Sequence, residues 1–470
     1  MMDDLQITGG TEAYTKYELP LAVANAARPL SMLHFPEAPE AKALVEAVTA
    51  QVAAQEKRKR PRGVGEMAKL REAVGAVLGG VLAVAWKDED LVYRSMNKNS
   101  FAGEVIAYRQ AEAALRGLTA QGLIRRYSGI RYDWAALFDG PALWEGIAAR
   151  FGATEALKNL AASYGIDQSN IGTVFGIRWP AKPPKVQEGV VLRPLADKRP
   201  GEKQKRRKDS LPLDRDDPET IRLTAEVEAA NAVLAAHRFE GCTPPALYRV
   251  FNKDFSLGGS QDFSLGGRWI TAGAMPIQGM SADARLKIRI NDRPVAEVDV
   301  KASHLSILAA FAGVKKLEFD DPYTFSDAPW SRLPNARKVV KSVAVAALGA
   351  GKLPTRWPNG MKDKLRVPDS VRLGDITEAL AARFPFLQRP AEVLGVAPKV
   401  VGHRLQALEA NAITAALGHA WSRDIPAVPV HDSIIVPQTA ARVVEADLQM
   451  AYRVRCNGAV IRTETERAEA

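Results

Sequence analysis

With 470 residues, 47% hydrophobic and 25% charged, the chain is too apolar for a disordered polymer and long enough for two or three domains with sizeable cores. A formal charge of +10 and a pI near 9.4 favour a polyanionic partner such as nucleic acid. Cys242 and Cys456 are too few for a disulfide framework, a disulfide-linked partner or a thiolate zinc site, the run from Ala73 to Trp86 is too short for a membrane span, and the acidic start Met1-Met2-Asp3-Asp4 lacks a signal peptide's basic region, so a cytoplasmic protein is expected.

The first predicted helix covers Ala41 to Ala54 and runs into Lys57-Arg58-Lys59-Arg60-Pro61-Arg62, a basic run that reads either as a solvated linker or as a phosphate-contacting patch. A second helix follows from Glu66 to Val84, then a short segment near Asp90 to Met96. Ser100 is expected to cap a third helix ending at Gly122, with Val105, Tyr108, Leu115 and Leu118 at helical spacing. Leu123 to Tyr132 reads as a basic β-ribbon turning at Ser128-Gly129. Over residues 66–133 this order resembles a winged helix-turn-helix, whose last helix enters the major groove while the wing touches the backbone; a plain helical bundle with a hairpin gives the same pattern. Helix is expected to continue from Asp133 to Ile177, with Trp134, Leu137, Trp144 and Phe151 in its core. Residues 1–178 thus form a mostly helical N-terminal region. Residues 179–215 read as a basic, proline-rich linker, with Pro180, Pro183 and Pro184 ahead of a stretch from Lys198 to Lys208 in which seven of eleven residues are Lys or Arg.

Residues 216–470 carry the candidate chemistry. The acidic cluster Asp214 to Glu219 caps a predicted helix from Thr220 to His237, and a near-tandem copy follows, Asp254-Phe255-Ser256-Leu257-Gly258-Gly259 and then Asp262-Phe263-Ser264-Leu265-Gly266-Gly267. Gly266 and Gly267 would let the backbone approach a duplex minor groove closely. Leu286, Ile288 and Ile290 alternate with Lys287 and Arg289 as a strand, Asn291-Asp292 is a tight turn, and a second strand places Glu297 and Asp299 on one face. Asp299 then lies where strand hands over to helix, Ala302 to Phe311, a position that favours phosphate. Val428 to Pro437 forms a second predicted hairpin around His431-Asp432-Ser433. Two hairpins that each present an Asp suit a site holding two divalent cations about 4 Å apart. Arg337 and Lys341, four apart in a helical segment after Pro334, project from one face as a triphosphate grip requires. A loop from Pro354 to Pro368, a helix from His403 to Trp421 with Gln406 and Glu409 on one face, a final helix from Thr439 to Tyr452 and a strand from Ala459 to Ile461 complete the reading.

These residues resemble the motifs of the family A DNA polymerases, a superfamily that includes the single-subunit phage RNA polymerases. Asp299 matches the Asp that closes the first palm strand, with His304 where the family has its sugar-gate Glu. Val430, His431 and Asp432 match Val-His-Asp-Glu, with Ser433 replacing the Glu; Arg337 and Lys341 match the fingers helix, with Gly349 replacing its Tyr and Val345 standing where the family has an aromatic ring. Gly266-Gly267-Arg268 with Pro276 and Gln278 is similar to the family's Thr-Gly-Arg segment, and the helix bearing Gln406 to the one that presents a Gln to the template. The resemblance covers approximately Leu247 to Pro437. It implies an α+β right-hand palm with an antiparallel sheet and helical fingers, acting as a DNA-directed DNA polymerase in replication. The implied site has Asp299 and Asp432 as catalytic metal ligands for two Mg²⁺ ions, or Mn²⁺ in their place, with Glu297 as a third ligand or as the residue orienting one. Arg337, Lys341 and His304 would bind the nucleoside triphosphate. Arg268, Gln278, Gln406 and His431 would bind the DNA primer-template, Arg268 at the primer end. Tyr323, after Asp321-Pro322, is the nearest aromatic to replace the missing ring. DNA or RNA as template and deoxynucleotide or ribonucleotide as substrate stay open. No acidic proofreading centre is visible in the first half. A nucleic-acid-binding protein with a degenerate palm, and an RNA polymerase or primase of the same superfamily, are the alternatives.

Overall fold

Among the described residues, hydrophobic side chains build one large core in each of the units Met1–Arg178 and Trp179–Ala470, with a smaller cluster of Val190, Leu192, Leu223 and Phe251 in the second. A computed structural model describes residues 19, 21–58, 60–101, 104–133, 144–195, 210–254, 262–273, 276–358 and 360–468. Lys59, Trp134, Leu137, the Lys198 to Lys208 run and the first repeat copy beyond Asp254 lie outside these residues. Among the described residues, no helix is long and apolar enough to cross a membrane.

In the first unit, helices α1 (Pro39–Ala54), α2 (Val64–Leu82) and α3 (Tyr108–Ala120) bury Leu44, Val48, Leu70, Val77, Leu115 and Leu118 in a common core. Ser100 does not cap the third helix. A 3₁₀ turn takes Lys98–Phe101, α3 starts at Tyr108, and Glu104 is drawn inward by Arg94 at 3.4 Å. Strands β1 (Val92–Arg94), β2 (Ile124–Tyr127) and β3 (Ile130–Asp133) precede the helix expected after Asp133, and among the described residues beyond it β4 (Trp144–Ile147) and β5 (Ala149–Ala153) take part of its place, leaving α4 (Glu155–Ser163) and Ile171–Val174 helical. The ribbon does not turn at Ser128-Gly129. Ile124 faces Ala153 and Ile130 faces Ile147, so the two pairings keep one register and form a single long hairpin ladder that reaches Asp133 and Trp144. The sheet runs β1, β5, β2, with Arg28–Pro29 on its edge.

The second unit is mixed α+β. Asp217 caps α5 (Pro218–Ala235), its carboxylate accepting from the Thr220 amide at 2.9 Å. The expected linker contributes a strand: β6 (Val190–Pro194) pairs in parallel with β7 (Leu247–Lys253), which pairs antiparallel with β8 (Leu265–Thr271). Gly266 and Gly267 sit in β8 at φ +79° and +80°, beside a register shift at Val250/Phe251. They are buried in this bulge, immediately before Arg268. A Cβ on Gly267 would lie 2.8 Å from the Phe251 ring. Gly267→Ala is therefore expected to destabilise the fold by about 1 to 3 kcal/mol, read from urea denaturation.

The central sheet is built around one strand. Short β9 (Arg289–Ile290) turns through Asn291 and Asp292, both at positive φ, into β10 (Arg293–Lys301). Of the rest of the expected first strand, Leu286 ends a short helix and Lys287 and Ile288 lead out of it: Ser281 caps α6 (Ala282–Leu286), its hydroxyl accepting from the Ala284 amide at 3.3 Å. β10 lies between β12 (Ser433–Pro437), itself paired with β11 (Val428–Val430), and β13 (Arg462–Arg467). The last strand thus begins after Ile461, at the residues that can pair with β10. Helices α7 (Ser303–Phe311), α8 (Ala336–Ala350), α9 (Val401–Trp421) and α10 (Ala441–Arg455) complete the unit around Val298, Leu308, Val343, Leu405, Ile413 and Leu448.

Candidate active site

The two carboxylates on which the sequence converges are delivered by two tight turns. β10 passes through Ala302, at φ +51°, into α7; β11 passes through His431, at φ +58°, and Asp432 into β12. Left-handed backbone at non-glycine residues costs roughly 1 to 3 kcal/mol each and concentrates where geometry serves function. Asp299 pairs opposite Ser433, and the Val300 amide donates to the Asp432 carbonyl at 3.3 Å. Asp299 and Asp432 therefore open into one cleft of about 940 Å³, which His304, Arg337, Lys341 and Gln406 also line. Burial, then the negative charges of Glu409 and Asp299, push the Asp432 carboxyl up to about 6. Asp299 has a counter-charge: Lys301 Nζ lies 2.9 Å from it and also pairs with Glu464.

Beneath the carboxylates lies a buried network centred on Glu409, which is 1% exposed. Arg268 reaches it through Nη2 at 2.5 Å and Nε at 3.1 Å, the Ser303 hydroxyl donates at 2.6 Å, and His304 Nε2 stands 3.2 Å away. Tyr452, fully buried, places its hydroxyl 2.9 Å from Ser303 Oγ. Burial alone would raise the Glu409 carboxyl, but the His304 and Arg268 charges and the Ser303 hydroxyl outweigh it and hold it at about 2. The sequence reading placed Glu409 on a helix face without a role. Its signal was a carboxylate within the apolar run Ala407, Leu408, Ala410 of α9, all buried.

The cations stand on α8, one turn apart. Arg337 Nε donates to Asp321 at 2.6 Å, and Asp321 also accepts from the Tyr323 amide at 3.2 Å. Lys341 has no ion-pair partner among the described residues and faces the same cleft, as does exposed Val345. Tyr323 lines the cleft too, though it is only 4% exposed. Burial, then the Asp321 charge, pushes its hydroxyl up to about 12.

Three residues expected at the site are used elsewhere. Glu297 is on the same strand face as Asp299 but two residues back. There Arg285 holds it with bonds of 2.8 and 2.9 Å, and the Ser433 hydroxyl lies 2.6 Å away, so its oxygens are engaged outside the cleft. Gln278 is a backbone clip rather than a free amide: it donates to the carbonyls of Trp269 and Pro429 at 2.9 and 3.1 Å and accepts from the Thr271 amide at 3.0 Å. His431 is exposed at its turn, beside the cleft and not among its lining residues. The half of its ring turned toward the protein is desolvated, and this, then the charge of Arg268, lowers its pKa.

No protein-family model matches the chain, and no curated protein matches it. Among solved structures it is similar to the POL domain of Pol1 from M. smegmatis in complex with DNA primer-template and dNTP, at 12% identity and a TM-score of 0.30, over 53% of this chain and 50% of that one. The chain spans about half the length of that structure.

Proposed function

We propose that the second unit performs template-directed nucleotidyl transfer, extending a DNA primer at the expense of nucleoside triphosphates, with the sheet around β10 as palm and α8 as fingers. The observation that carries this reading is the convergence of Asp299 and Asp432 with Arg337 and Lys341 on one cleft. A nuclease would need the carboxylates but not the triphosphate grip.

Divalent metal fits the donors present. Two hard carboxylates stand together at strand ends, and burial, then the neighbouring anions Glu409 and Asp299, raise the Asp432 carboxyl, negative charge that a cation would balance. Among the described residues no set of three or more His, Cys, Asp or Glu converges as a cage. Mg²⁺ commonly takes one or two carboxylates and completes its shell with water and substrate phosphates. Asp299 and Asp432 would hold Mg²⁺, or Mn²⁺, which supplies charge stabilisation for attack of a primer hydroxyl on the α-phosphate. Lys301 must release Asp299 for this, and Glu464 retains its ammonium. Arg337 exchanges Asp321 for a substrate phosphate, and Lys341 adds a second positive charge as pyrophosphate leaves. Glu297 acts indirectly, fixing Ser433 next to Asp432. Arg268 and His304, tied to Glu409, and Gln406 face the primer-template and the sugar.

The test is extension of labelled DNA and RNA primers with each nucleotide set, in Mg²⁺ and in Mn²⁺. Incorporation that follows the template supports the reading; binding without incorporation under every condition leaves only a nucleic-acid-binding protein. Ribonucleotide use, with or without primer, would make it an RNA polymerase or primase. Arg337→Ala and Lys341→Ala should each raise the KM for nucleotide roughly ten- to hundredfold, the cost of removing one charged hydrogen bond to phosphate, with a smaller effect on primer affinity.

A further inference from the structure

The first unit has a groove of its own, about 700 Å³, between the end of α1, the start of α2 and the outer face of α3. Lys57, Arg58, Arg62, Lys69, Arg109 and Arg116 line it against two carboxylates, Glu56 and Glu66. Both carboxylates are already engaged. Arg62 grips Glu56 with bonds of 2.6 and 2.8 Å, and Arg58 reaches Glu66 at 3.3 Å. That leaves Lys57, Lys69, Arg109 and Arg116, all exposed and none with an ion-pair partner among the described residues.

Glu56 draws Arg116 by charge at longer range, but its bonds go to Arg62, and four cations without an ion pair around one concavity repel one another. A concave wall of one charge concentrates the field on an anion. The rest of the lining narrows the choice of anion. Val52, Gln55, Gln110, Ala113, Gly117 and Ala120 complete it, with no aromatic ring on which an unpaired base would stack. Arg125, Arg126 and Arg150 of the long hairpin are instead committed to the protein: Arg125 to Asp88 at 3.3 Å, Arg126 to Glu112 at 3.0 Å, and Arg150 to the Ala24 carbonyl at 3.0 and 3.2 Å.

We propose that this groove binds the phosphate backbone of a nucleic-acid duplex without regard to sequence, through Lys57, Lys69, Arg109 and Arg116. The site is separate from the cleft of the second unit and does not depend on catalysis there. The phosphates of DNA and RNA duplexes share this chemistry, and the assay separates them.

The experiment measures binding of the full chain to a short DNA duplex, an RNA duplex of the same sequence and a single strand, at several salt concentrations. Lys69→Gln, Arg109→Gln and Arg116→Gln are combined, and the comparison protein carries the equal charge loss Lys182→Gln, Lys364→Gln and Arg453→Gln at exposed positions elsewhere. The groove variant should bind duplex at least roughly tenfold more weakly than the comparison protein, with a salt dependence shallower by roughly 2 to 3 in log–log slope, about one for each phosphate that is no longer neutralised. The charge-keeping set Lys69→Arg, Arg109→Lys and Arg116→Lys should bind like the wild type, which also establishes that these positions are not needed for folding. Equal binding by the groove variant and the comparison protein, or a wild type that prefers the single strand, overturns the proposal.

Discussion

Replacing Asp432 by asparagine should abolish primer extension and at the same time make the metal-free protein more stable. The first effect follows from losing a carboxylate of the proposed metal cradle, at several kcal/mol of transition-state charge stabilisation, roughly a thousandfold or more in rate. The second follows from the sign of the shift. The Asp432 carboxyl ordinarily titrates near 3.8 and in the folded protein near 6, so the fold holds that proton more tightly than the unfolded chain does. Its contribution is most favourable below pH 3.8 and is lost as pH rises through 6, so at neutral pH the ionised carboxylate is a liability that asparagine removes. For a partly exposed group this amounts to on the order of 1 to 3 kcal/mol, visible as a higher Tm. Millimolar Mg²⁺ should raise the Tm of the wild type and leave that of Asp432→Asn nearly unchanged. Extension by the wild type should also fall as pH drops through 6, where protons compete for the same oxygen. A fully active Asp432→Asn protein, or one whose Tm responds to Mg²⁺ like the wild type, would sink the assignment of this carboxylate.

Asp299 and Asp432 were legible because strand alternation and hairpin turns are local properties. Ala296, Val298 and Val300 define one face of β10 and thereby assign Asp299 to the other, while Asn291-Asp292 adopts the positive φ that such turns require. Arg337 and Lys341 were legible for the same reason, since helical spacing alone puts them on one face of α8. What was not legible depended on distant partners. Glu297 reads like Asp299 along the strand, and only Arg285 on α6 takes it out of the cleft. Alternation at Leu286 to Ile290 mimics a strand, yet Leu286 belongs to the helix that the Ser281 hydroxyl caps. The hairpin turn was placed too early at Ser128-Gly129, because a turn-prone dipeptide does not end a ladder whose register continues past it.

Glu409 carries the second large effect. Glu409→Ala should cost about 3 to 5 kcal/mol of stability, the range for breaking a buried charge pair from one side, because Arg268, His304 and Ser303 all lose the acceptor they share. Glu409→Gln keeps the shape and removes the charge, which turns pH into a test of cause. The ordinary carboxyl titrates near 4.5 and Glu409 near 2, so its stabilisation is fully present above pH 4.5 and is lost as pH falls through 2. The stability difference between wild type and Glu409→Gln should then shrink by about 2 kcal/mol between pH 5 and pH 3, measured by urea denaturation at each pH. Acid-sensitive groups that do not feel the Glu409 charge cancel in this difference because both proteins carry them; Asp432, which does feel it, is removed from the comparison by making both measurements in the Asp432→Asn background. If the difference is the same at both pH values, the charge of Glu409 is not what holds the network, and Arg268 and His304 are positioned by packing instead. If it shrinks as expected, primer extension by Glu409→Gln should also be reduced at neutral pH, where the variant still folds, because Arg268 and His304 have lost the carboxylate that aims them.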